Sequence, residues 1–215
     1  MKAYVYSMES LNSNIKDELY TGLEMVAAYI GETVVTKLCR VRLATDYIGH
    51  VEPSKIGTSK LDKLVELHVM AVPMSLNKAD QAGLAYMGEG VSYVDVSPFR
   101  AGSAGKIVTS TAHEVAHSLG FLKDGAVQTD PQSSGHCKDQ DCILNKNVIE
   151  KPIIPTQDKN LLKRGVKAVL SSLQPAPEPQ FGYQFDFCQD CKNDLHLHGP
   201  SHLDRLRSNR LLYGI

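Results

Sequence analysis

The most restrictive feature of the sequence is the segment Lys106–Leu119, which combines helical spacing of apolar residues with an H-E-x-x-H pattern. Residues four apart project from one face of a helix, so His113 and His117 can each direct a ring nitrogen at a single ion. Glu114 lies beside the first histidine, where its carboxylate can take a proton from an attacking water molecule. The pattern predicts a zinc-binding helix that supports hydrolysis, although an amphipathic helix can also hold these residues by chance.

The first 120 residues alternate between strand-like and helical patterns. The nearly continuous apolar run Val65–Pro73 suits a central strand buried on both faces. Apolar and polar residues alternate along Gly88–Ser97, and turn residues bound the segment on both sides. This pattern predicts an edge strand. Two further strands are predicted at Lys2–Tyr6 and Thr33–Leu43, with a helix over Leu11–Ile30. This order predicts an α/β (α+β) lobe, in which helices pack on a twisted mixed sheet that has an edge strand.

Beyond Gly120 the sequence becomes polar and irregular. Asp124–Gln140 is a long segment rich in polar, glycine, proline and serine residues, and helices are predicted at Asn160–Leu173 and Ser201–Tyr213. We expect one domain over residues 1–215, with an N-terminal lobe at 1–120 and a C-terminal subdomain at 121–215 that needs cross-linking to hold its shape.

The charge and the distribution of apolar residues argue against several classes of protein. A net charge of -1 and a pI near 6.7 argue against a dedicated nucleic-acid binder. No apolar run reaches the length of a membrane span, so no membrane association is expected. The first residues lack the apolar core of a secretory signal, which favours a cytoplasmic protein. We expect a monomer.

Four of the five cysteines form two close pairs, Cys137 with Cys142 and Cys188 with Cys191. An odd count without a secretory signal favours thiols and metal over disulfides. Four thiolates in two close pairs are typical of tetrahedral zinc. A zinc knuckle made of Cys188, Cys191, His198 and His202 is the alternative. Cys39 stands apart and is expected to be a small buried strand residue.

A catalytic zinc needs a third protein ligand and one open position. Lys123 lies three residues after Gly120 and cannot bind zinc while it is protonated. Asp124 is the next residue, and His136 is the first histidine that follows. The residues alone leave Asp124 and His136 open.

The sequence resembles the archaemetzincins, a branch of the metzincin clan with the pattern H-E-x-x-H-x-x-G-x-x-H-C-x4-C-x-M followed later by C-x-x-C. The matching residues are His113, Glu114, His117, Gly120, His136, Cys137, Cys142, Cys188 and Cys191. The resemblance implies two Zn²⁺ ions. The catalytic ion would be bound by His113, His117 and His136, and the structural ion by the four cysteines. It also implies hydrolysis of peptide or protein substrates, with Glu114 as general base and Gly90–Ser97 lining the cleft.

The sequence departs from the family pattern at several positions. His136 lies 16 residues after Gly120, so residues 121–135 contain an insertion, and Leu144 occupies the place of the family's methionine. Leucine can fill the same apolar space at modest cost. The alternative from a different class is a catalytically silent zinc-binding or regulatory protein that keeps the metzincin fold. A second enzymatic alternative is an amidase that acts on a non-peptide substrate.

Overall fold

The computed structural model of the chain describes residues 1–7, 10–40, 65–72, 82–97, 106–122, 128–147 and 186–213. The predicted helix at 160–173 and the candidate ligand Asp124 lie outside the described residues. The α/β fold class is confirmed. Its elements in chain order are β1 Lys2–Ser7, α1 Ser13–Tyr29, β2 Val35–Arg40, β3 Leu67–Val72, β4 Gly83–Tyr86, β5 Val91–Asp95, α2 Lys106–Leu119, β6 Thr129–Asp130, β7 Ser133–Cys137 and α3 Gln189–Tyr213.

The main sheet is mixed and has the strand order β2-β1-β3-β5-β4. The strand β3 lies between β1 and β5, pairs in parallel with both, and has all six residues buried. This confirms the central, doubly buried strand expected from the apolar run Val65–Pro73, since a strand with neighbours on both sides and layers on both faces has no solvated surface.

The prediction that Gly88–Ser97 forms the sheet edge is wrong. The strand at that position, β5, pairs with β3 on one side and with β4 on the other. Among the described strands, β4 forms this edge and is the antiparallel one. Gly88 and Gly90 have positive φ angles and lie in the turn between β4 and β5. These glycines therefore belong to the turn of a β-hairpin and do not mark the start of an edge strand. The strand β4 was not predicted from the sequence, because two of its four residues, Gly83 and Ala85, have weak strand propensity.

The helices α1 and α2 pack closely against each other. A Cβ atom added to Gly22 would lie 2.6 Å from Thr111 Cβ and 2.7 Å from the Val108 carbonyl oxygen. The absence of a side chain at Gly22 therefore lets the two helices approach. The side chain of Asn12 accepts a hydrogen bond from the Ile15 amide and caps the start of α1.

The alternation of side chains along the strands creates two apolar layers. Ala3, Val5 and Val69 belong to the core that contains the buried faces of α1 and α2. Tyr6 and Met70 belong to a second cluster. Successive side chains in a strand point to opposite faces, so the two clusters cover the two faces of the sheet. The helix with the H-E-x-x-H pattern thereby packs against the sheet through its apolar residues.

The C-terminal helix α3 is longer than predicted. The sequence predicted a helix from Ser201, whereas α3 begins at Gln189 and continues through Pro200. Residues 189–200 are polar and lack apolar periodicity, which is why the pattern did not show their helix. A Cβ atom added to Gly199 would lie 2.2 Å from Ile30 Cγ2, so α3 packs tightly where α1 ends. Each helix in the described part of the chain is too short or too polar to cross a membrane.

Candidate metal centre and its neighbouring cysteine cluster

Two groups of side chains in the described residues are placed to hold a metal ion. The histidine cluster consists of His113, His117 and His136, and the cysteine cluster of Cys137, Cys142, Cys188 and Cys191. In each cluster, one potential ligand atom per residue lies within 4.8 Å of those of the other members. The structure therefore brings together in two sets the seven residues that the sequence singled out, and their roles as ligands stay predictions.

The first two histidines face each other along one side of α2. Their Nε2 atoms are 3.1 Å apart, and their ring planes are nearly perpendicular at 80°. Two nitrogen ligands of a tetrahedral zinc are about 3.3 Å apart, given Zn–N bonds of about 2.0–2.1 Å. The spacing of four residues in the helix therefore produces the separation that one zinc ion needs.

Backbone carbonyl groups determine which ring nitrogen carries the proton. His113 Nδ1 lies 2.6 Å from the Ile143 carbonyl oxygen, and His117 Nδ1 lies 3.2 Å from the Phe121 carbonyl oxygen. A carbonyl can only accept, so both Nδ1 atoms carry hydrogen and both Nε2 atoms present lone pairs to each other. Two lone pairs at this distance repel unless a cation lies between them, and the donor set therefore fits zinc.

Both histidines are neutral at physiological pH. Burial, followed by the neighbouring His117, lowers the pKa of His113 well below its usual value. Burial and then His136 lower the pKa of His117 to about 4. Because a metal binds only the neutral ring, these shifts mean that no proton has to leave either ring at pH 7.

The third histidine comes from a different element. His136 lies on β7, and its ring centroid is 5.3 Å from those of His113 and His117. The Ser133 hydroxyl lies 3.1 Å from His136 Nδ1. His136 is half-buried, whereas the two histidines of α2 are buried. The histidine cluster is thus open towards solvent on the side of β7.

Glu114 directly follows His113 on α2 and is buried, with 5 % of its surface exposed. Burial raises the pKa of its carboxyl group to about 8. A carboxyl with a pKa near neutrality can both accept and return a proton under physiological conditions. Glu114 is therefore a buried carboxyl group that can exchange a proton near neutral pH, unlike a surface carboxylate.

The cysteine cluster has the dimensions of a zinc–thiolate site. Cys137 Sγ and Cys188 Sγ are 3.7 Å apart. This distance is far too long for a disulfide. It agrees with the separation of about 3.8 Å between two ligands of tetrahedral zinc with Zn–S bonds of about 2.3 Å. All four thiols are free.

Backbone amides surround the sulfur atoms. The Asp139 amide donates to Cys137 Sγ over 3.4 Å, and Cys142 Sγ accepts from the amides of Leu144 and Cys188 over 3.4 and 3.3 Å. Such donors stabilise thiolates. Burial raises the pKa of Cys137, and the hydrogen bond with Cys142 followed by burial raises that of Cys188. The thiols would therefore lose their protons together only when a cation compensates the charge.

The alternative zinc knuckle does not assemble. His198 is exposed on α3, with its Nε2 atom 3.8 Å from Asp194, and the ring of His202 packs against Phe121 with centroids 4.8 Å apart. Neither histidine joins Cys188 and Cys191, whereas Cys137 and Cys142 do.

Within the described part of the chain, His68 and Cys39 have structural explanations. His68 is fully buried, with Nδ1 3.1 Å from the Tyr6 hydroxyl and the two rings stacked. Cys39 is half-buried on β2 and packs against the second cluster of the sheet. His196 is exposed on α3.

Several groups at the site were not identified in the sequence analysis. The carbonyl groups of Ile143 and Phe121 orient the two histidines of α2, and a backbone carbonyl carries no side-chain signal. Ser133 could have been noticed from its position three residues before His136. Gly83 on β4 lies against Glu114, and a glycine in an unpredicted strand offered no indication of this contact.

A five-stranded mixed sheet, a helix with two facing histidines, a third histidine and an adjoining cysteine cluster together define an archaemetzincin-like fold. Zinc is the metal that these imidazole and thiolate donor groups fit.

Two solved structures carry this comparison. The archaemetzincin from Archaeoglobus fulgidus, solved in complex with malonate, matches with a TM-score of 0.51 and 18 % identity over 90 % of this chain and 99 % of its own. The archaemetzincin from Methanopyrus kandleri matches with a TM-score of 0.52 and 16 % identity over 95 % of this chain and 96 % of its own. No protein-family model and no curated sequence matches the chain. The resemblance is therefore one of fold.

Proposed function

We propose that this protein is a zinc-dependent peptidase in which His113, His117 and His136 bind the catalytic zinc and Glu114 is the general base. The observation that carries the proposal is the pair of Nε2 atoms 3.1 Å apart, with the buried Glu114 on the same helix. When bound there, zinc would lower the pKa of a water molecule to about 7 and polarise the substrate carbonyl.

The residues of the chain would perform the proton transfers. Glu114 would accept the proton of the attacking water as the new C–O bond forms, and would then donate it to the nitrogen of the leaving amine as the C–N bond breaks. The raised pKa of the Glu114 carboxyl suits both steps, because the group is neither too weak a base nor too weak an acid near pH 7.

The strand β4 is the element on which an extended peptide would lie. It forms the edge of the described sheet and contacts Glu114 through Gly83. A peptide that added to this edge by backbone pairing would pass beside the general base. The strand first expected to line the cleft, within Gly90–Ser97, is covered by β4 on that side. We therefore assign this part of the cleft to β4.

The cysteine cluster would hold a second, structural zinc. The segment that contains Cys142 and Ile143 contacts Asp186. Asp186 in turn accepts a hydrogen bond of 2.6 Å from the Tyr29 hydroxyl of α1, so the cysteine cluster is connected to the N-terminal lobe through Asp186. These contacts support the proposal that 1–120 and 121–215 form a single metallopeptidase domain. Its cytoplasmic location and monomeric state stay predictions.

The test is hydrolysis of a peptide library by the zinc-loaded protein and by its Glu114→Gln variant. We expect Glu114→Gln to keep its zinc and to lose roughly 100- to 10,000-fold in turnover, which is the usual contribution of a general base. Glu24→Gln is the matched control, because Glu24 is an exposed residue of α1. Zinc binding without any Glu114-dependent hydrolysis of peptides would refute the proposal and favour a zinc-binding or regulatory protein. Hydrolysis of amide substrates alone would favour an amidase.

A further inference from the structure

Gly83, on the edge strand β4, lies directly against the side chain of Glu114. A Cβ atom added to Gly83 would be 2.4 Å from Glu114 Cγ, 2.6 Å from its Oε1 and 2.7 Å from its Cδ. Real Cβ atoms essentially never approach other heavy atoms to within 3.0 Å. Three side-chain atoms of Glu114, namely Cγ, Cδ and Oε1, therefore occupy the space that any other residue at position 83 would fill with its Cβ atom.

The backbone of Gly83 does not itself require glycine. Gly83 is absent from the described glycines with positive φ, which are Gly31, Gly88, Gly90, Gly120 and Gly135. Glycine weakens a strand relative to alanine, because it loses more backbone entropy and packs no side chain. Strand propensity and backbone conformation both favour alanine at position 83. The contact with Glu114 is the feature that disfavours alanine, because an added Cβ atom would displace the Glu114 side chain.

We infer that Gly83 is the positioning residue of Glu114, because its missing side chain creates the recess in which the carboxyl group is held between α2 and the strand proposed to carry substrate. This inference rests on the proposed function of Glu114 as general base. A methyl group at position 83 would force the carboxyl away from β4, while the histidine cluster, held by the carbonyls of Ile143 and Phe121, would stay in place. A displacement of about 1 Å at a reacting group can cost roughly 100-fold in rate.

The first test is a melting-temperature cycle on the zinc-loaded protein, with Gly83→Ala, Glu114→Ala and the double variant. Gly83→Ala should lower the melting temperature by roughly 5 °C or more in the wild-type background, as overpacking in a core does. In the Glu114→Ala background the colliding atoms are gone, so the same substitution should be neutral or stabilising. This reversal of sign is specific to the contact between the two residues.

Gly22→Ala provides the matched control for this cycle. Its added Cβ atom would collide with Thr111 and with the Val108 carbonyl, and not with Glu114. Gly22→Ala should therefore destabilise the protein equally in both backgrounds. If Gly83→Ala fails to fold alone and the double variant folds, the inference is supported in its strongest form. An equal loss for Gly83→Ala in both backgrounds, or failure of both variants to fold, would overturn it.

The second test separates positioning from general damage. Gly83→Ala should retain both zinc ions per chain, should lose roughly 100-fold in kcat, and should change KM little, because the substrate edge and the zinc ligands are intact. Loss of zinc from Gly83→Ala, or unchanged kcat, would overturn the positioning role. If the wild-type protein shows no Glu114-dependent hydrolysis, the proposed function fails, and the melting-temperature cycle still decides whether Gly83 holds Glu114.

Discussion

His113 Nδ1 donates a hydrogen bond of 2.6 Å to the carbonyl oxygen of Ile143, which lies 30 residues further along the chain. Ile143 directly follows Cys142, and the next amide, that of Leu144, donates to Cys142 Sγ. The group that orients a histidine of one cluster is therefore fixed in place by a cysteine of the other. A second connection is covalent, since His136 and Cys137 are neighbours on β7.

Because of these connections, we expect loss of the cysteine cluster to weaken the histidine cluster. Cys188→Ser should abolish zinc binding at the thiols and lower the zinc affinity of the histidines by roughly 10- to 100-fold, the usual effect of disturbing groups that orient metal ligands. Competition with chelators of graded affinity measures both sites. Cys39→Ser is the control, because this half-buried thiol of β2 is outside the cluster, and should keep two zinc ions. Unchanged affinity at the histidines of Cys188→Ser would show that the sites are independent.

The third ligand can be identified by substitution. His136→Ala should reduce the zinc content from two ions per chain to one, because two histidines alone bind zinc weakly, and should leave the cysteine cluster loaded. Elemental analysis after dialysis gives the count. His196→Ala, at an exposed histidine of α3, should keep both ions. The prediction is wrong if Asp124→Ala loses the ion and His136→Ala keeps it.

Ser133 should affect zinc binding without being a ligand. Its hydroxyl lies 3.1 Å from His136 Nδ1 and helps to orient the ring. Ser133→Ala should weaken the zinc of the histidine cluster by roughly 10-fold and leave that of the cysteine cluster unaltered. Zinc titration of both clusters provides the measurement, with the exposed Ser201→Ala as control. Equal weakening at both clusters would indicate damage to β7 as a whole.

Arg207 should tie the C-terminal helix to the lobe. Its guanidinium group lies 3.2 Å from Glu66, 3.2 Å from Asp204 and 3.7 Å from Glu32. With 38 % of the side chain exposed, solvent screens these pairs, and Arg207→Ala should cost only about 0.5–1 kcal/mol. Urea unfolding at low salt and at 1 M salt measures this effect. The loss should shrink at high salt, and a loss independent of salt would point to the aliphatic part of the side chain.

Much of the lobe could be predicted from local patterns. The strands β1 and β3 and the helices α1 and α2 have apolar residues at strand or helix spacing. This spacing predicts each element correctly because the face that the sequence makes apolar is the face that becomes buried. The edge of the sheet could not be predicted this way. The position of β4 beyond β5 depends on pairing between strands, and its glycine and alanine residues contribute little propensity of their own.

The helix that carries His113, Glu114 and His117 was determined by its own sequence, because a separation of four residues and the geometry of an α-helix suffice to place two imidazoles side by side. The two cysteine pairs were equally clear from their spacing. The surroundings of the histidines and of the cysteines could be known only from the folded chain. The carbonyl of Ile143 and the recess at Gly83 consist of a backbone atom and an empty volume, and neither has a residue type that could signal it. Only long-range packing brings the cysteine cluster next to the histidines and the edge strand next to Glu114.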